Sequence, residues 1–175
     1  RTADAQRIWM GIVSTSRYWG VLSHACARDA AQTDALIRRH LAWLTALRYQ
    51  LREPRAWETL GKPINAEYRR HYVIPEQCEP LPDALRRYLP SQAVDALMRA
   101  DDKAAQLLAA QGLAVRQLLD AGVITVAEYA DCNGRLRELS DLQGQAERIK
   151  NFPYPRQYAI INTLFVRSFC VVLPF

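Results

Sequence analysis

The residues that could do chemistry are few, and they are scattered. Three histidines (His24, His40, His71) and four cysteines (Cys26, Cys78, Cys132, Cys170) supply every imidazole and every thiol in the chain. No two cysteines form a C-x-x-C pair. His24 and Cys26 stand two residues apart, but no third or fourth ligand follows at zinc spacing. The thiols therefore read as reduced, in a cytosolic setting. No G-x-S-x-G, H-E-x-x-H, G-x-x-x-x-G-K-[ST] or G-x-G-x-x-G occurs, so the motifs that would place a nucleophile, a metal or a phosphate are missing. No catalytic residue, metal ligand set or cofactor is assigned, and the chain is not read as an enzyme.

The remaining charged motifs point to helix ends. Asp101-Asp102 precedes an apolar-periodic stretch and reads as a cap. Thr125 followed by Glu128 has capping-box spacing. Arg167 is a lone charge in an otherwise apolar run. It could meet an acid or an anion from a neighbour, or it could snorkel or turn to a carbonyl.

These residues sit on elements that are helical by composition and period. The chain has 175 residues, half of them hydrophobic and 23% charged, with only 7 glycines. This is enough for one core, and it excludes a disordered chain. Ile8, Trp9, Ile12, Val13, Ser16 and Trp19 recur at helical spacing in a helix from about Ala3 to Arg28, where Gly11 and Gly20 allow a neighbour to pack closely. Leu36, Ile37, His40, Leu41, Leu44, Leu47 and Leu51 mark a second helix over Thr33 to Leu51, capped by Thr33 or Asp34. Six prolines then punctuate Glu53 to Pro90, a long connection with short helices at Ala56 to Leu60 and Asp83 to Tyr88. Aromatic residues run through it, so it is not a domain boundary. Ser91 caps a short helix to Arg99, and Asp101 or Asp102 caps Lys103 to Ala121, which Gly122 ends. A long helix from Thr125 to about Lys150 follows. The fold class is all-α: a multi-helix bundle of long helices with a Pro-rich connection, in one domain over 1–175.

Tyr158 to Phe175 is almost wholly apolar and spans roughly 27 Å at 1.5 Å per residue. It reads equally as the start of a membrane helix or as a buried C-terminal core helix. With its first residue Arg1 and its apolar end, the chain reads as part of a longer protein. The net charge of +5 is mostly arginine spread along the sequence. It suits a solvated surface, a membrane surface or an anion path better than a nucleic-acid arm.

Several stretches, in order along the chain, resemble the bacterial bestrophins. Ala146-Glu147-Arg148-Ile149, then Pro153-Tyr154-Pro155 and Tyr158, then Phe169-Cys170-Val171-Val172-Leu173-Pro174-Phe175, are similar to that family's C-E-R-I/L, T-P-x-P-x-x-Y and F-C-x-L-L-P-F. Arg7, Trp9 and Ser16-Arg17 resemble its R-x-x-E-A-R-x-L-W-G-x-V…S-R helix, and Leu47 to Arg52 its L-K/R-x-x-L-R turn. Three positions depart: Ala146, Phe152 in place of threonine, and Met10 in place of glycine.

The resemblance implies the cytosolic region of a homopentameric ion channel in the inner membrane. It would pass chloride or another monovalent ion and meet lipid through the rest of the protein. Trp9, Arg17, Glu147, Arg148, Pro153, Pro155 and Pro174 would be structural, with Glu147 and Arg148 tying the long helix to a neighbour. The family's cytosolic constriction would fall at Ala127, where valine or isoleucine is usual, with Glu128 beside it either as a ring of acids or as the capping-box acid alone. A soluble helical scaffold without transport is the alternative.

Overall fold

The computed structural model describes residues 2–55, 71, 73–152 and 156–173, with side chains in the last stretch described at 161, 162, 164–170, 172 and 173. The described residues form eight helices: α1 (Thr2–Cys26), α2 (Ala30–Arg52), α3 (Pro75–Cys78), α4 (Leu81–Arg86), α5 (Ser91–Met98), α6 (Lys103–Asp120), α7 (Val126–Asn151) and α8 (Arg156–Val172). The expected helices at Ala56 to Leu60 and the aromatic residues Trp57, Tyr68 and Tyr72 lie outside the described residues, as do Pro153, Pro155 and Pro174.

Local chemistry sets the helix ends. Thr125 Oγ accepts from the Glu128 N–H while the Glu128 carboxylate accepts from the Thr125 N–H, so α7 opens with a full capping box. Asp102 caps α6 through the Ala105 N–H at 2.9 Å, and Gly122 takes φ +66 just beyond its end. Two expected caps are corrected. α2 starts three residues before Thr33, because Ala30, Ala31 and Gln32 are good helix formers and the Asp29 side chain accepts from the Gln32 N–H at 2.7 Å. Ser91 is the first helical residue of α5 and does not cap it; Pro90 occupies the cap position with no side-chain bond. α4 begins at Leu81, two residues early, because Pro82 fits a first helical turn.

Four long helices, α1, α2, α6 and α7, enclose the core. α2 packs mainly on α6 and α1 mainly on α7. Ile8, Ile12, Trp19, Leu22 and Cys26 of α1 face Leu36, Trp43, Ala46 and Leu47 of α2, Leu107 and Val115 of α6, and Cys132, Leu136 and Leu139 of α7 in one cluster. The buried stripe of α1 thus runs through Ile8, Ile12, Thr15 and Trp19. Trp9 is not part of it and remains half exposed. The expected apolar face of α7 is also shifted, since Val126 is 72% exposed and Ala130 lies on the surface.

Among the described residues, α8 packs on no other helix to a comparable degree. Ile161, Leu164, Phe165, Val166, Phe169, Val172 and Leu173 are all exposed, as is Arg167, so α8 is not a buried core helix. Among the described residues, no helix is long and apolar enough to cross a membrane.

Gly11 does allow close packing. A Cβ there would meet Leu142 Cδ2 at 3.0 Å, whereas a Cβ at Gly20 would meet nothing within 4 Å. Gly11→Leu should therefore cost about 1–3 kcal/mol by overpacking the α1–α7 contact. Gly20→Ala should stabilise by up to about 1 kcal/mol through helix propensity. Urea denaturation of both variants checks the pair, and equal shifts would contradict the α1–α7 packing.

Candidate functional site

The start of α7, against the end of α1, carries Ala127 and Glu128. α1 and α7 run antiparallel. Gly11 meets Leu142 at one level, Tyr18 reaches Asp131 at another, and Cys26 lies against Cys132 at the end. This arrangement projects the capped end of α7 beside the end of α1. Ala127 is the second residue of α7 and is exposed.

Glu128 is half-buried and its carboxylate is engaged at home. Oε2 accepts from the Thr125 N–H at 2.7 Å and from the Thr125 hydroxyl at 2.8 Å. These bonds, the backbone one foremost, lower its pKa, so it stays ionised. The helix N-terminus favours the same charge.

A charged ladder continues along the exposed seam. The Tyr18 hydroxyl donates to Asp131 Oδ2 at 3.2 Å, which raises the phenol pKa. Arg135 lies over the Tyr18 ring at 5.2 Å and donates to Glu138 at 2.9 Å. Asp131 and Arg135 are also paired, at 3.5 Å. Sequence reading missed this ladder. Its signal is the run of charges at three- and four-residue spacing on α7.

Other expected residues lie apart from this seam. Glu147 sits near the far end of α7 and accepts from Gln143 Nε2 at 2.8 Å, while Arg148 is exposed. Among the described residues, neither is paired with a charge on a neighbouring helix. Arg17 is exposed on α1. With Trp9 it lines a groove of about 360 Å³ between α1 and α2, together with Val13, Ser16, Ile37 and Leu41. His40 closes the groove's inner side, 6% exposed, between the rings of Trp19 and Trp43 at 6.3 and 5.2 Å. Both of its ring nitrogens, Trp19 Nε1 and Ser16 Oγ are buried without a hydrogen-bond partner.

A larger cleft, about 650 Å³, opens where α2 and α7 end and α6 begins. Its lining mixes Glu53, Glu76, Asp101, Asp102 and Glu147 with Arg52, Arg55, Lys103 and Lys150. The two signs offset each other, so no one charge of ligand is favoured. Among the described residues, no group of three or more His, Cys, Asp or Glu side chains could hold a metal ion.

Comparison with known proteins gives the context for these features. A family model described as Bacterial/Fungal Bestrophin protein matches residues 1–175. The voltage-dependent anion channel-forming protein YneE of Salmonella typhi and that of Salmonella typhimurium are each 30% identical over 99 residues, 55% of this chain and 32% of theirs. Among solved structures, a bacterial bestrophin homologue from Klebsiella pneumoniae matches with TM-score 0.78 and 21% identity, over 99% of this chain and 55% of that one. A membrane protein carrying P262A matches at 0.79 and 22%, over 100% and 56%. At these identities the structural likeness speaks for the fold alone. The chain spans about half the length of the solved relatives and aligns with about a third of the curated ones.

The buried imidazole gives this part of the bundle a pH dependence. Burial lowers the His40 pKa to about 4 from 6.5, so the folded state holds it neutral while the unfolded chain takes up a proton below 6.5. The folded state is fully favoured above pH 6.5 and loses stability as pH falls towards 4, by up to roughly 3 kcal/mol. His40→Leu should flatten that loss in urea denaturation between pH 6.5 and 4. An unchanged slope would assign the acid sensitivity elsewhere.

Proposed function

The chain belongs to the bestrophin family, and from that premise we propose that it is the cytosolic, pore-forming region of an ion channel built from five copies of the parent protein. The observation that carries this reading is the family match across the whole chain. The fold is compatible with it, since the relatives with the same fold are membrane proteins. Channel activity needs no catalytic group, only a lined path.

In this reading the five α7 helices point their capped ends at the axis. Ala127, exposed at that end, forms the cytosolic constriction. Its methyl group is smaller than the valine or isoleucine usual in the family, so the ring is wider. Glu128 acts first as the capping-box acid, because both Thr125 donors already occupy its Oε2. α8 leads into the next membrane segment. Its exposed apolar side chains suit lipid or the parent protein's own membrane helices, and in this reading the bundle lies on the cytoplasmic side of the inner membrane. The transported species is a small monovalent ion. The relatives' name favours an anion, and the positive net charge is compatible with that.

The test is the reversal potential of the full-length protein in planar bilayers under a salt gradient. A potential displaced towards the chloride equilibrium establishes an anion channel, and displacement towards the cation establishes the opposite selectivity. Absence of conductance from folded, inserted protein would sink the channel reading. Ala127→Phe should reduce conductance severalfold by narrowing the ring. Glu128→Gln should leave the reversal potential in place, because glutamine keeps the capping box. A shifted potential would instead put Glu128 in the ion path.

A further inference from the structure

Cys26 and Cys132 are 106 positions apart in sequence, yet their sulfurs lie 3.7 Å from each other. Both are free thiols, 4% and 3% exposed, within the core cluster shared by α1 and α7. Cys26 is the last residue of α1, and Cys132 lies in the second turn of α7. A disulfide needs about 2.05 Å between sulfurs, so closure calls for a movement of about 1.7 Å, within reach of small side-chain and helix-end adjustments.

We propose that Cys26 and Cys132 are a modification site: a reversible disulfide that staples the end of α1 to the start of α7 under oxidation by a peroxide. The reaction balances as two thiols plus hydrogen peroxide giving one disulfide and two waters. Cys26 attacks a peroxide oxygen, forming a sulfenic acid and releasing one water. The Cys132 sulfur then attacks the sulfenic sulfur. The S–O bond breaks, and the departing oxygen takes the Cys132 proton to leave as the second water.

Access comes through the last turn of α1, whose exit is held by the Ala27 N–H to Ser23 O bond at 3.3 Å and by Arg28 to the Gly122 carbonyl at 3.3 Å. Helix ends open at low cost. Burial raises the pKa of both thiols, that of Cys132 to about 12, so the pair reacts slowly and depends on this opening. Cys78 and Cys170 are exposed and should react faster. Cys132 is five residues beyond Ala127, so the staple fixes α1 against the end of α7 that carries the constriction. That consequence rests on the channel reading, while the disulfide itself does not.

The experiment treats the folded full-length protein with hydrogen peroxide, alkylates the remaining thiols in denaturant, and maps non-reduced peptides by mass spectrometry. The expected result is a Cys26 peptide joined to a Cys132 peptide, two hydrogens lighter than the sum, absent in Cys26→Ser and reversed by dithiothreitol. The oxidised protein should also melt at a higher temperature. Recovery of both cysteines as alkylated thiols, in a sample whose Cys78 and Cys170 are oxidised, overturns the proposal. A cross-link from Cys26 or Cys132 to any other cysteine overturns it as well. Conductance measured before and after oxidation, in wild type and in Cys26→Ser, tests the effect at the constriction separately. An unchanged wild-type conductance removes the regulatory consequence, and the peptide map still decides the bond.

Discussion

The amide of Gln143 holds the bundle in register. Its oxygen accepts from the Trp43 indole at 2.9 Å, and its nitrogen donates to Glu147 at 2.8 Å and to Asp102 at 3.5 Å. Gln50 donates to the same Asp102 oxygen at 3.0 Å, and that oxygen also caps α6. One buried side chain therefore ties the middle of α2, the first turn of α6 and the second half of α7. A second glutamine repeats the device one layer away. Gln111 on α6 donates to the Leu36 carbonyl at 2.8 Å and accepts from Arg39 at 3.0 Å. Buried amides are costly unless fully bonded, so a slide of α6 or α7 by one turn would break several bonds together. Apolar packing alone tolerates such slides far better.

That register also sets the seam between α1 and α7. With α7 fixed on α2 and α6, its remaining face must meet α1, and Gly11 lets the helices approach at Leu142. The end of α7 then extends past the tightly packed core. Its first turn is held by the Thr125–Glu128 box and by Arg28, whose guanidinium reaches the Gly122 carbonyl at 3.3 Å. Under the proposed reading, a capped end exposed on one side would hold a constriction in a fixed position.

The sequence carried some of this and hid the rest, for identifiable reasons. α6 and α7 were legible because Asp102, Thr125 and Glu128 cap by local chemistry, and Gly122 ends α6 by its backbone freedom. The start of α2 was misplaced because its apolar stripe begins at Leu36, a full turn after the backbone becomes helical at Ala30. Trp9 was placed in the stripe of α1 because its spacing fits two faces, and only packing chooses between them. Gln111 and Gln143 look like surface residues in sequence. Their burial follows from meeting a carbonyl and an indole across the bundle, which no local pattern encodes. The proposed constriction was less legible still: alanine at 127 carries no chemistry of its own, and only family resemblance singled it out.

Among the described residues, half of the buried polar side-chain atoms without partners lie on one side of the bundle; the others are Gln50 Oε1, Arg55 Nε, Glu76 Oε2 and Arg135 Nε. His40, Trp19 and Ser16 leave four buried polar atoms without partners, and all three residues line the groove with Trp9. α8 also exposes an apolar surface. The α6–α7 side, by contrast, satisfies its buried amides internally. Unpaired buried donors and exposed apolar helices both raise the free energy of an isolated chain, and contact with further protein or lipid lowers it. Among the described residues, the groove and α8 are where apolar side chains remain exposed. The α1–α7 seam pairs its charges within the chain, through Tyr18, Asp131, Arg135 and Glu138, although Arg135 Nε makes no hydrogen bond. Under the proposed channel reading, the exposed apolar faces of the groove and α8 suit contacts with further protein or lipid, which leaves the start of α7 to the path.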